Sequence, residues 1–265
     1  MDNEQKKFYN NSNVYYDIIS KSEYDYFVEY ILFVSCHIPC LNSQILDIGC
    51  GTGQSTNFLS QKGYSVVGVD GGERFIQKAK KEYKEQRFLC ESADKLSFET
   101  GYFDVVASYN SVEHFNNVEK SLREMIRVVK TGGYIIINSP NLLSVWQPLN
   151  AILKFKGVSF EGWNSKWKNI FLIFRNIFLI FVKSFQKKAN FIYRKPEFNF
   201  SFPDNDATWY INPVDLKHFF INNGCEIITY QDLSHIKFKK SKLSLILASL
   251  FPGIMGITRI VARKL

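Results

Sequence analysis

The sequence predicts an α/β fold built on a parallel sheet, and three observations carry that prediction. Short apolar runs alternate with helix-like segments over about a hundred residues, from Gln44 to Pro140. The first of those runs ends in the glycine-rich turn Gly49-Cys50-Gly51-Thr52-Gly53. The 265 residues are 46% hydrophobic and 22% charged, a globular composition that excludes wholesale disorder and allows one large domain.

Each element follows from its local pattern. Residues 22–40 read as a helix with Tyr and Phe on one face, and Gln44 to Ile48 as a buried strand. Ser55 to Lys62 reads as a helix that Gly63 terminates, and Tyr64 to Val69 as a second strand closed by Asp70-Gly71-Gly72. A helix over Glu73–Glu85 and strands over Arg87–Cys90 and Phe103–Tyr109 come next. Val118 to Lys130 is a helix stopped by Gly132-Gly133, and Tyr134 to Asn138 a fifth strand closed by Pro140. Residues 141–205 break the rhythm with aromatic and basic sequence. It returns at Asn212-Pro213, where proline suits the first turn of a helix running to Phe220 and ending near Gly224. Cys225–Tyr230 and Ile257–Ala262 complete seven strands, with an apolar insertion at 237–256 between them.

Charge is local. The formal net charge is +8, and the stretch Lys154–Lys195 alone holds ten Lys/Arg against Glu161. A nucleic-acid surface spread over the whole protein is not expected from that distribution. Five cysteines without a CxxC pair suggest reduced thiols in a cytoplasmic setting rather than a disulfide framework or zinc ribbon. The N-terminus lacks the apolar stretch of a signal peptide, and no window suffices to span a bilayer unaided.

The chemistry lies in Ile45-Leu46-Asp47-Ile48-Gly49-Cys50-Gly51-Thr52-Gly53. A strand ending in Gly-x-Gly-x-Gly brings backbone close to a ligand, and the next helix aims free N–H groups into the turn. Asp70 at the second strand end can accept from both ribose hydroxyls. A dinucleotide fingerprint would need glycine where Gln54 stands, and Asp47 would repel a pyrophosphate. A ligand with an ammonium group and no phosphate fits better, which points to S-adenosylmethionine.

These residues resemble motif I of the class I S-adenosylmethionine-dependent methyltransferases, in particular the methyltransferase-11/ubiquinone-menaquinone-type branch. Val66-Val67-Gly68-Val69-Asp70 resembles the ribose-binding strand end, and Ser92-Ala93-Asp94-Lys95-Leu96-Ser97-Phe98 the adenine-side loop. Phe103-Asp104-Val105-Val106 with Val112-Glu113-His114 resembles strand four and its exit. The resemblance covers roughly residues 40–140, and more weakly 205–230 and 256–265. It implies a Rossmann-like, seven-stranded, mostly parallel sheet with the last strand antiparallel and helices on both faces. It also implies one domain over 1–265: a helical lid at 1–40, a cofactor-binding core at 41–140, the aromatic-basic insertion at 141–205, and the rest of the sheet at 206–265.

Roles carried over by the resemblance are as follows. Gly49, Gly51 and Gly53 shape the methionine pocket, and Asp47 helps hold the ammonium directly or through water. Asp70 and Gly71 serve the ribose, and Ser92 and Ala93 the adenine, whose amine falls to Asp94 or to backbone. Asn110 and Ser111 lie beside the sulfonium, and His114 stands at the mouth as a base for a hydroxyl proton or as a packing residue. Phe8, Tyr9, Tyr15 and Tyr16 belong to the lid or to ordinary packing. No metal is expected.

The expected activity is methyl transfer to a small-molecule, glycan or lipid-linked acceptor, with oxygen as the favoured atom. C-methylation of a quinone-type lipid precursor and a non-catalytic cofactor-binding or membrane-tethered partner are the alternatives. Ile170–Val182 and Leu243–Thr258 suit helices lying in an anionic membrane interface, or else an apolar lid or dimer surface.

Overall fold

The computed structural model describes residues 3–11, 24–145, 148–149, 152, 166–198, 206–233 and 256–265. Among these, α1 (Asn3–Asn11) and α2 (Tyr24–Ser35) lead into β1 (Gln44–Ile48), α3 (Gln54–Gln61), β2 (Ser65–Asp70), α4 (Glu73–Glu82) and β3 (Arg87–Cys90). Then come β4 (Phe103–Tyr109), a 3-10 turn (Val112–His114), α5 (Val118–Val128) and β5 (Val129–Pro140). The chain continues through α6 (Lys166–Phe185), β6 (Ile192–Tyr193), β7 (Trp209–Tyr210), α7 (Pro213–Asn222), β8 (Cys225–Leu233) and β9 (Ile257–Lys264).

Seven strands form one sheet in the order β3-β2-β1-β4-β5-β9-β8. The first five are parallel, and β9 runs antiparallel to both β5 and β8, as expected from the sequence. Both faces are covered, so the central strands are mostly apolar, with Asp47, Ser108, Asn138 and Ser139 as buried polar exceptions. Alternation sorts their side chains between two layers. Leu46, Ile48, Val106, Ile135 and Ile137 join α5 and α7 on one face. Ile45, Val105, Ala107 and Ile136 join Phe27, Tyr30, Ile31 and Val34 of α2 on the other. The strand order reverses between β1 and β4, which opens a crevice at their carboxyl ends.

Several boundaries differ from the sequence expectation for local reasons. The helix expected over 22–40 ends at Ser35, because Pro39 disfavours helical geometry at Ile38. The helix expected to reach Lys130 stops at Val128, since Val129 already pairs with Phe103 and the Lys130 Nζ reaches Asp104 Oδ1 at 2.7 Å. β5 therefore includes Gly132-Gly133 instead of following them. In the insertion the structure holds a 20-residue helix, α6, and a small ribbon in which Ile192 pairs with Tyr210 and Tyr193 with Trp209. The insertion at 237–256, apart from Gly256, lies outside the described residues, as do Tyr15 and Tyr16. Pro213 lies in the first turn of α7 as anticipated, and Asn212 caps the helix, its side chain accepting from the Asp215 N–H.

Candidate active site

The crevice between β1 and β4 deepens into a pocket lined by Gly49, Gly51, Asp70, Ser92, Ser111 and His114, among others. It begins at the glycine turn. Gly49 has φ +74, and a Cβ there would stand 2.3 Å from both Cβ and Oγ of Ser111. Glycine is thus required for β1 and β4 to exit side by side, and Ser111 Oγ donates to the Ile48 carbonyl at 3.1 Å across that contact. Gly51 lies on the pocket wall, but Gly53 does not. A Cβ on Gly53 would meet Phe88 at 2.7 Å and Ala79 at 2.9 Å, so this glycine seats α3 against β3 and α4. Its neighbours Thr52 and Gln54 line the pocket.

Asp47 is buried behind the wall. Its Oδ2 accepts from Ser55 Oγ at 2.5 Å and Thr56 Oγ1 at 2.7 Å, while Oδ1 has no partner. That orphaned buried oxygen fits a ligand ammonium approached through water, and the pocket lining does not support direct contact. Burial pushes the carboxyl up to about 6, opposed by the two hydroxyl donors. Two opposite pH effects follow. A folded-state value above the unfolded one lets this group add stability to the free protein as pH falls from about 6 to about 4. Ammonium binding needs the ionised form, so S-adenosylmethionine should bind roughly tenfold more weakly at pH 5 than at pH 7. Calorimetric titration at both pH values checks this; Asp47→Asn should flatten the difference, and an unchanged difference would refute it.

Asp70 ends β2 in the pocket. Its Oδ2 accepts from the Gly51 N–H at 3.0 Å and its Oδ1 from the Gly72 N–H at 2.7 Å. Burial holds its carboxyl above the ordinary range, opposed by those two amides. Each oxygen retains a lone pair for a ribose hydroxyl. Gly71, Ser92 and Ala93 line the same side together with Glu91. Asp94 is absent from the wall and sits 4.0 Å from Lys120 Nζ.

Asn110 carries the sole positive φ of a non-glycine among the described residues, +47. It is held there by Asn138, whose carbonyl accepts from the Asn110 N–H at 2.8 Å and whose Nδ2 donates to Asn110 Oδ1 at 2.9 Å. This aims the chain from β4 into the pocket and sets His114 in the turn that follows. The imidazole lies between two carboxylates: Nδ1 is 3.3 Å from Asp206 Oδ2, and Nε2 is 3.6 Å from Glu113 Oε1. Tyr9 of α1 lines the pocket, packs on Phe75 with ring centroids 5.9 Å apart, and donates to Asp206 Oδ2 at 2.7 Å.

The structure therefore brings together ten of the expected site residues or their immediate support, and sets Gly53 apart. Sequence reading missed Asn138, Asp206 and the role of Glu113. Asp206 lies 92 positions beyond His114, in a segment without a motif of its own. Among the described residues, no group of three or more His, Cys, Asp or Glu side chains could hold a metal ion.

Sheet order and glycine turn together give the chain the Rossmann-like fold of the class I S-adenosylmethionine-dependent methyltransferases. Residues 46–137 match the family described as "Methyltransferase domain". The chain is similar to the ubiquinone biosynthesis O-methyltransferase of Pelagibacter ubique, 29% identical over 106 residues, or 39% of this chain and 44% of the relative. It is also similar to the malonyl-[acyl-carrier protein] O-methyltransferase of Hamiltonella defensa, 29% identical over 114 residues, or 41% and 44%. The chain spans less than half the length of these curated relatives. A solved S-adenosylmethionine-dependent methyltransferase from Mesorhizobium loti superposes with a TM-score of 0.53 at 13% identity, covering 88% of this chain and 96% of that one. At that identity the likeness concerns the fold.

Proposed function

We propose that this chain transfers the methyl group of S-adenosylmethionine to a hydroxyl oxygen of a small-molecule, glycan or lipid-linked acceptor. The observation that supports it most is the presence, in one pocket, of the glycine turn, Asp70 and His114. The fit to the methyl donor rests on the orphaned Asp47 Oδ1 and on the paired Asp70 oxygens. Gly49, Gly51 and Asp47 would hold the methionine end, Asp70 and Gly71 the ribose, and Ser92 and Ala93 the adenine. Asn110 and Ser111 would flank the reacting centre. The bound donor supplies an electrophilic methyl carbon on a positively charged sulfur. The acceptor oxygen bonds to that carbon as the carbon–sulfur bond breaks, its electron pair returning to sulfur and the hydroxyl proton passing to His114 Nε2. Oxygen as the target agrees with what the names of the two curated relatives say of those proteins.

Calorimetry should show binding of S-adenosylmethionine and of its demethylated product, with negligible binding of NAD. Methyl transfer from labelled donor into lipid or sugar extracts should then fall by roughly 10²-fold in His114→Ala, with donor affinity little changed. Tight NAD binding, or full activity in that variant, would overturn the reading.

The lipid-linked acceptor and a station on the cytoplasmic face of a membrane are favoured by α6, which is inside-out. Its inward residues Asn169, Asn176 and Lys183 are at most 2% exposed. Its outward stripe of Trp167, Phe171, Phe174, Phe178, Phe181 and Phe185 is between 61% and 80% exposed. The 4-3-4-3-4 spacing places that stripe on one helical face. The helix has no acidic residue, and Lys168, Lys187 and Lys188 lie exposed at its ends. Aromatics down and lysines at the rim suit an anionic bilayer surface, each lysine contributing about 1 kcal/mol and the rings a part that salt does not screen. No described helix is long and apolar enough to cross a membrane. Liposome sedimentation should show binding that prefers anionic lipid. Changing Lys187 and Lys188 to Glu should weaken it, and changing Phe171, Phe174 and Phe178 to Ser should remove the salt-resistant part. A stable dimer that ignores liposomes would refute the membrane reading.

A further inference from the structure

We propose that the Asn110 side chain is a hydrogen-bond donor to the carboxylate of bound S-adenosylmethionine, with Asn138 and Arg259 as its positioning residues. The inference deepens the reading of this pocket as an S-adenosylmethionine site and rests on it. It is carried by an amide relay that crosses three strands, from β9 through β5 to the end of β4. Arg259 stands opposite Asn138 in the β5–β9 pairing, and its Nε donates to Asn138 Oδ1 at 2.7 Å. Asn138 Nδ2 in turn donates to Asn110 Oδ1 at 2.9 Å.

The direction of each amide follows from the group before it. A guanidinium has donors only, so the Asn138 atom facing it must be oxygen. The other end of that amide is then nitrogen, which also only donates, so the Asn110 atom it meets must be oxygen as well. Burial protects the relay from exchange with water, Asn138 being 2% exposed and Arg259 5%. The guanidinium is seated against α2, its Cζ 5.4 Å from the Phe33 ring centre and its Nη1 3.5 Å from Glu29 Oε1. The Asn110 backbone N–H is committed to the Asn138 carbonyl at 2.8 Å. What the Asn110 side chain turns to the pocket it lines is therefore Nδ2, which can only donate.

The place of that group selects its partner. Asp70, Gly49 and Asn110 stand at the ends of β2, β1 and β4, which are neighbours in the sheet in that order. With the ribose at Asp70, the methionine end of the ligand extends past the glycine turn toward Asn110. An ammonium offers only N–H groups and a sulfonium is itself cationic, so neither is a partner for Nδ2. The carboxylate is the acceptor at that end. Among the described residues lining the pocket there is no Lys or Arg to take it. A charge-assisted hydrogen bond from Asn110 meets that need.

The test compares S-adenosylmethionine with its decarboxylated form, which keeps the adenosine, sulfonium and ammonium, by calorimetry on the full chain. The native protein should prefer the carboxylated ligand by roughly tenfold to hundredfold. Asn110→Asp keeps an oxygen for Asn138 but replaces Nδ2 by a second oxygen. It should abolish the preference by weakening S-adenosylmethionine, while the decarboxylated form binds at least as well as before. Asn138→Asp accepts from Arg259 at one oxygen and from Asn110 at the other. It should turn the Asn110 amide around and narrow the preference. Arg259→Gln, whose amide can accept as well as donate, should narrow it too, and Arg259→Lys should keep most of it. Equal native affinity for the two ligands would overturn the proposal even if no variant folds. So would a folded Asn110→Asp that weakens both ligands alike or neither, or a folded Asn138→Asp with the native preference. Failure of the native protein to bind either ligand would instead sink the methyltransferase reading.

Discussion

Valine at position 49 is expected to abolish S-adenosylmethionine binding, lowering affinity by at least roughly 10²-fold. Two costs fall together there. The backbone sits at φ +74, where a β-branched residue is strained, and the new Cβ would lie 2.3 Å from Ser111. Relief requires the β1 and β4 exits to separate, which breaks the Ser111 hydrogen bond to Ile48 and moves Asn110 and His114 with it. Gly63→Ala is the control. Its φ is +91, yet a Cβ would find only Leu41 Cδ2 at 4.0 Å. That change should cost about 1 kcal/mol of stability and leave affinity intact. Calorimetry and thermal melts on both variants separate clash from strain. Native affinity in Gly49→Val would show that the turn does not form the ligand wall.

Lys183→Met is expected to cost about 3–5 kcal/mol of stability, the largest effect among the lysines of the insertion. The ammonium donates to Asp215 Oδ2 at 2.7 Å and to the Asn190 carbonyl at 2.5 Å, and both charged groups are buried. Removing the cation leaves the Asp215 carboxylate in the interior with the Asn212 side chain and the Asn190 N–H as its remaining donors. Lys183→Met combined with Asp215→Leu should recover much of the loss, because an apolar pair removes the uncompensated charge. Lys187→Met, at an exposed position, should stay within about 0.5 kcal/mol of native. Denaturant unfolding of the three variants is the measurement. A loss under 1 kcal/mol for Lys183→Met would show that the buried pair contributes little. Lys183 is buried where Lys187 and Lys188 are exposed, so it is not available to a headgroup.

The sequence by itself determined the seven strands, the glycine turn, Asp70 and the position of His114. These signals are local: an apolar run, a turn that needs glycine, a proline after a cap. β3 and β4 match their expected residues throughout, and the errors at α2 and α5 are boundary shifts of a few residues. Tertiary structure alone decided what depends on contacts between distant residues. It separated Gly53, which packs on Phe88 and Ala79, from Gly49, which meets Ser111. It placed Asp47 behind the wall, turned the polar side of α6 inward around Lys183 and Asp215, and brought Tyr9 and Asp206 to His114. The physical reason is one of range. Backbone geometry and hydrophobic period are written in neighbouring residues, whereas a buried charge finds its partner only after the chain has closed on itself.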